Sequence, residues 1–115
     1  MSSDRVFLRL NDIVENIDRI SAYLTGITFE EFAQDGLRVD AVERCLQRIS
    51  EASIKIGPEA LAEISPRTRI EAVRGLGNLL RHAYDEVDVS VVWSTVEKSL
   101  PILREDCAAA LSGER

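Results

Sequence analysis

The stretch Val6-Phe7-Leu8-Arg9-Leu10-Asn11-Asp12-Ile13-Val14-Glu15-Asn16-Ile17-Asp18-Arg19-Ile20-Ser21-Ala22-Tyr23-Leu24 sets how the rest of the chain is read. Val6, Leu10, Ile13, Ile17, Ile20 and Leu24 follow one another at steps of 4, 3, 4, 3 and 4. At about 3.6 residues per turn, that spacing lays all six on one stripe of an α-helix. Asp12, Glu15, Asp18 and Arg19 are left largely to the flanks and back, where water solvates them. Gly26 supplies a stop.

The same period returns downstream. Val39, Val42, Leu46, Ile49, Ser53 and Ile56 recur at steps of 3, 4, 3, 4 and 3, predicting a second long helix from about Val39 to Ile56. Gly57-Pro58 ends it, because neither residue extends a helix well. Between these two helices, Thr28 and Glu31 have capping-box spacing and start a short turn with Phe29 and Phe32, which Gly36 is expected to break. Pro58 to Ile64 reads as one further turn.

Ser65-Pro66 is expected to open a third long helix, a capping hydroxyl followed by proline at the first helical position, running to about Tyr84. Gly75 and Gly77 interrupt it, and each interior glycine costs ~1 kcal/mol relative to alanine. Two within three residues ask for a close approach of another backbone or a ligand. A fourth helix starts after Asp88 and carries Val89, Val92, Val96, Leu100, Leu103, Cys107 and Ala110, with a kink expected at Pro101.

Composition agrees with this pattern. The 115 residues suit one domain, 1–115, with 45% hydrophobic and 30% charged residues. Aromatics are only 5%, and Gly plus Pro number nine, which argues against a many-turned β-sandwich or barrel. The expected fold is all-α: an up-and-down antiparallel bundle of four long helices plus short helical turns.

Net charge is −6, so nucleic-acid binding needs local cation density that the whole chain does not provide. Cys45 and Cys107 lack metal-ligand spacing, and with one histidine a Cys/His zinc site has too few ligands. Both thiols are expected to pack as small apolar residues in a reducing compartment. No apolar run approaches the ~20 residues of a membrane span. The start, Met1-Ser2-Ser3-Asp4-Arg5, is unlike a signal peptide, so a cytoplasmic protein with no membrane partner is expected.

The chemically informative stretch is Arg74-Gly75-Leu76-Gly77-Asn78-Leu79-Leu80-Arg81-His82-Ala83-Tyr84. On a helix, Arg74, Asn78, Arg81 and His82 fall within about a 100° arc, while Val73, Leu76 and Leu80 belong mostly to the other side. From Arg67 to His82 there are four arginines and one acid, Glu71, so this segment is +3 and the remaining chain −9. A basic stripe on an acidic body is the asymmetry that phosphate binding needs. Terminal arginines also complement a helix macrodipole, and a lone histidine near a helix end is often a cap, so a plain structural role stays open.

The chain resembles the HepT-like members of the HEPN superfamily, ribonuclease toxin subunits paired with minimal nucleotidyltransferase antitoxins in type VII toxin-antitoxin systems. The resemblance covers nearly the whole length. It is carried by Asp40-Ala41-Val42-Glu43-Arg44, by Ser50-Glu51-Ala52 and by Asn78-Leu79-Leu80-Arg81-His82-Ala83-Tyr84. It continues through Val87-Asp88, Trp93-Ser94-Thr95-Val96 and Leu100-Pro101. The family's motif is an arginine, four to six residues, a histidine, and a tyrosine two positions on. His82 and Tyr84 match, whereas the positions allowed to the arginine hold Gly75, Leu76 and Gly77, and Arg74 falls one residue outside.

The resemblance implies metal-independent RNA cleavage with no cofactor, in which the RNA 2′-hydroxyl attacks the adjacent phosphorus. RNA, not DNA, is then the substrate. His82 fits the general acid/base, and Arg74, or Arg81, fits the cation over the phosphorane oxygens. Asn78, one turn before His82, is placed to bind substrate or orient the imidazole. A homodimer sharing one cleft is implied, with the two glycines at its seam. Tyr84 is implied as the residue to which the antitoxin transfers AMP. The alternative is a catalytically silent helical subunit of a nucleotidyltransferase complex. A generic scaffold is a third reading, and it requires His82 and Asn78 to be buried.

Overall fold

The computed structural model of the chain describes residues 3–82, 85 and 87–113. The described residues form seven helices: α1 (Ser3–Leu24), α2 (Phe29–Ala33), α3 (Gly36–Ile56), α4 (Pro58–Ile64), α5 (Ile70–His82), α6 (Val89–Lys98) and α7 (Leu100–Ser112). Among them there is no strand, and the all-α bundle expected from the periodicity is the architecture found.

The stripe that set the reading is the buried edge of α1. Leu10, Ile13, Ile17 and Ile20 are sealed in the core, while Val6 and Leu24 pack against its ends. α3 answers with Val42, Leu46, Ile49, Ser53 and Ile56, joined by Cys45, Ala52 and Ser50. The three long seams are α1 on α3, α3 on α5, and α1 on α7, so α3 lies between α1 and α5. Arg38 Nε at the start of α3 donates to the Tyr23 carbonyl at the end of α1 over 2.9 Å, as antiparallel neighbours must. All seven helices contribute to one continuous apolar core.

The short connections behave as their chemistry dictates. Thr28 Oγ1 accepts from Glu31 N and Glu31 Oε1 accepts from Thr28 N, both over 3.1 Å, so the capping box is complete. Phe29 and Phe32 of α2 reach Trp93 of α6 with ring centroids 5.7 and 5.3 Å apart, pinning the two helices. Gly57, at φ 96° and ψ 149°, holds a positive-φ conformation that suits glycine and separates α3 from α4.

Three boundaries differ from the sequence expectation. α3 starts at Gly36, since Asp35 Oδ1 accepts from Arg38 N over 3.1 Å and makes that glycine the first helical residue. α5 starts at Ile70, not Pro66. Its expected cap, Ser65, is buried, donates to Asp106 Oδ2 of α7 over 2.8 Å and pairs with Thr68 Oγ1 over 2.7 Å. Arg67 adds a 2.6 Å ion pair to Asp106, so this connection is tied to α7. The fourth helix is two: Ser99 separates α6 from α7, and Pro101 occupies the first turn of α7. Proline cannot donate to the preceding turn and its ring collides with it, but an N-terminal turn tolerates both.

Candidate active site

α5 has two faces. The inner face holds Val73, Leu76, Gly77 and Leu80, all buried. A β-carbon on Gly77 would run into the Cβ and Oγ of Ser50 on α3. Ser50 Oγ donates to the Arg74 carbonyl over 3.4 Å, and Gln47 Nε2 donates to the Leu80 carbonyl over 3.3 Å. Small residues and side-chain-to-backbone bonds therefore set the α3–α5 distance. The expectation for the two glycines is corrected here: Gly77 is used up by α3 of its own chain. Gly75 alone is open, with nothing within 4 Å of where a β-carbon would stand.

The outer face is solvent-facing. Asn78, Arg81 and His82 are exposed and Arg74 is partly so. The scaffold reading, which required His82 and Asn78 to be buried, is overturned. Arg74, Asn78 and Arg81 come together along a groove of about 290 Å³, completed by Ile54, Glu71 and Gly75. His82 lies beyond this groove, on the last residue of α5, one turn past Asn78. No described residue hydrogen-bonds its imidazole. α5 is regular through Gly75 and Gly77, so eight residues of helix leave Arg74 and His82 about 12 Å apart along the axis. The helix thus does not shorten that distance by distortion, and any meeting over one phosphate falls to the reach of the side chains. Tyr84, the expected modification site, lies outside the described residues.

Neighbouring charge is sparse on this face. Arg81 Nη1 stands 3.8 Å from Glu51 Oε2, a long contact at an exposed rim that leaves the guanidinium available. Among the described residues, no group of three or more His, Cys, Asp or Glu side chains is placed to hold a metal ion. Both cysteines are free and buried. Burial, followed by the nearby Asp106 charge, pushes the Cys107 thiol up to about 12, and burial pushes Cys45 up as well. Burial thus disfavours the thiolate, the nucleophilic form, at both. Among the described residues, no helix is long and apolar enough to cross a membrane.

Sequence reasoning missed the contribution of α3. Ile54 and Glu51 stand on the rim beside Arg74 and Arg81. Ile54 carried a signal, being an apolar residue off the buried stripe, and it is 42% exposed. Glu51 lies in the Ser50-Glu51-Ala52 stretch that carries the family resemblance, but an acid on a helix back gives no sign of which neighbour it faces.

The chain matches the family model for Ribonuclease HepT-like over residues 13–110. It is 37% identical over 95 residues to a protein of Thermococcus cleftensis named "Probable ribonuclease HepT", covering 83% of this chain and 86% of that one. A Methanocaldococcus jannaschii protein named as a candidate RNase is 33% identical over 97 residues, covering 84% and 79%. Another from Caldanaerobacter subterraneus, named likewise, is 27% identical over 106 residues, covering 92% and 94%. No solved structure matches the chain.

Proposed function

The chain belongs to the HepT-like ribonuclease family of the HEPN superfamily, and on that premise we propose that it is a metal-independent endoribonuclease that uses His82 as general acid/base. The observation that carries this reading is the outer face of α5. It presents an exposed imidazole with Asn78, Arg81 and Arg74 in series behind it, on a helix whose other face is wholly occupied in packing.

In this reaction the RNA 2′-oxygen bonds to the adjacent phosphorus and the bond from phosphorus to the 5′-oxygen breaks. The products are a 2′,3′-cyclic phosphate and a free 5′-hydroxyl. His82 takes or delivers the proton, since an imidazole titrates near neutrality. A guanidinium, Arg74 first and Arg81 next, stabilises the charge on the phosphorane oxygens. Asn78 binds substrate or orients the ring. A homodimer lets two copies of α5 share the cleft, which offsets the distance between Arg74 and His82 within one copy.

Regulation follows the same face. As the toxin of a type VII system in the cytoplasm, the protein is silenced by a nucleotidyltransferase antitoxin that transfers AMP from ATP to the Tyr84 hydroxyl, releasing pyrophosphate. A bulky anionic nucleotide two residues from His82 competes with RNA phosphate for the same cations. The second reading, a silent subunit of that nucleotidyltransferase complex, is favoured by the position of Arg74 outside the family's motif window and by the net charge of −6.

The test is cleavage of single-stranded RNA in the presence of EDTA. The parent is expected to produce 2′,3′-cyclic ends, and His82→Ala to lose at least about 100-fold in rate with an unchanged thermal melt. Equal cleavage by both proteins removes His82 from the reaction. A parent that binds its partner but cuts no RNA leaves the silent subunit. Intact mass after incubation with partner and ATP tests Tyr84: AMP addition that survives Tyr84→Phe rejects that role.

A further inference from the structure

A second basic pocket, of about 440 Å³, opens between α1 and α3 next to the α5 face. Two helical stripes build it. Arg9, Asp12 and Asn16 lie at i, i+3 and i+7 on α1, and Arg44, Gln47, Arg48 and Glu51 lie at i, i+3, i+4 and i+7 on α3. The antiparallel packing of α1 on α3 sets these stripes opposite each other. Arg81 closes one end and also lines the groove with Arg74 and Asn78, so the two basic hollows share a guanidinium.

The charges inside are not balanced. Four arginines face two acids, Asp12 and Glu51. Arg9 is paired with Asp12 over 3.2 Å. Arg44 Nη1 donates to the neutral amide oxygen of Gln47 over 3.1 Å. Among the described residues, neither Arg44 nor Arg48 has a carboxylate partner within ion-pair distance. Asn16 forms part of the wall at 7% exposure: its Nδ2 donates to the Asp12 carbonyl over 2.8 Å, while its Oδ1 accepts nothing from the described residues.

We propose that this pocket is a nucleotide phosphate subsite, occupied by the backbone of the same RNA strand whose scissile phosphate lies at His82. The inference rests on the ribonuclease reading and extends it by tracing the strand from α5 across Arg81 to Arg44 and Arg48. Guanidinium forks suit phosphate oxygens, and Arg44, Arg48 and Arg81 line one hollow. The positive charge of the pocket is local, which is how a chain of net charge −6 would hold a polyanion.

The experiment measures anisotropy of a labelled 12-nucleotide single-stranded RNA on the full-length His82→Ala protein over a sodium chloride series, with and without Arg44→Gln plus Arg48→Gln. AMP binding by calorimetry is measured in parallel. Losing two phosphate contacts on a single strand is expected to flatten the slope of log affinity against log salt by about 1.4. Glu51→Gln is expected to tighten RNA binding, a gain that misfolding cannot mimic. RNA binding untouched by the arginine changes, with AMP binding lost, keeps the phosphate site and assigns it to free nucleotide. If neither RNA nor AMP binding responds to the arginine pair, the subsite does not exist. Cleavage by the parent is scored separately, so an inactive protein that still shows the slope change rejects the ribonuclease reading and not the pocket.

Discussion

On its inner face α5 packs Val73, Leu76, Gly77 and Leu80 into the core, and on its outer face the same helix offers Arg74, Gly75, Asn78 and His82 to the groove and to solvent. The two glycines make the contrast sharp. Gly77 exists for fit, because Ser50 occupies the space its side chain would need. Gly75, just before Leu76, has open space where a β-carbon would stand and carries only the helix penalty. One face is therefore intolerant of added atoms, and the other tolerates atoms and holds the groups proposed to react. Stability and chemistry should be separable by substitution within thirteen residues.

The largest effect is expected on the outer face. Arg74→Ala should lower RNA cleavage by about 100-fold, the loss typical when one preorganised donor to a developing oxyanion is removed. Its melting temperature should stay close to the parent's, since Arg74 lines the groove and is not one of the buried core residues. Cleavage at the parental rate would transfer the cation role to Arg81, and the same assay on Arg81→Ala then decides.

Next comes the inner face. Gly77→Ala should destabilise the fold by about 1–3 kcal/mol, because the new methyl overlaps Ser50 and α3 must move. Adding Ser50→Gly clears the overlap, and the pair should recover part of the loss. Thermal melts of the two singles and the double give the coupling directly, and additive losses would show that the α3–α5 distance is not set here. Gly75→Ala is the mirror experiment. With open space at its β-carbon and ordinary helical backbone, it should stabilise by about 0.4–1 kcal/mol. A destabilised Gly75→Ala protein would mean that this position is already covered in solution, as at a dimer seam.

Much of this was legible from spacing. The α1 and α3 stripes were correct because burial on one side of a helix imposes a 3.6-residue period whatever the partner. The exposure of His82, Asn78 and Arg81 followed from the same geometry on α5. What the sequence hid depended on partners distant along the chain. Ser65 looked like a helix cap, yet its hydroxyl goes to Asp106, 41 residues away. Gly77 could not be assigned to packing without knowing that Ser50 faces it. The basic pocket was invisible because Arg9 and Arg44 belong to different helices and meet only once α1 lies antiparallel to α3. Pro101 was recognised as a disturbance, but whether a proline kinks a helix or starts a new one depends on whether the chain can be redirected there.

The smallest expected effect extends the contrast between covered and uncovered sides to a titrating group. Glu43 on α3 is buried, and burial, with a lesser push from Asp40, raises its pKa above the ordinary glutamate value. An acid whose folded pKa is raised favours the folded state while it is protonated. That contribution is fully present below the unfolded pKa and disappears as pH rises through the folded one. At neutral pH Glu43 is therefore a net burden, and Glu43→Gln should melt slightly higher than the parent. The advantage should shrink as pH falls toward the unfolded glutamate pKa of about 4.3, where the parent residue takes up its proton. A pH series of melts on the two proteins checks the sign. An advantage for Gln that grows on acidification would place Glu43 in a stabilising ion pair and reverse the assignment of its environment.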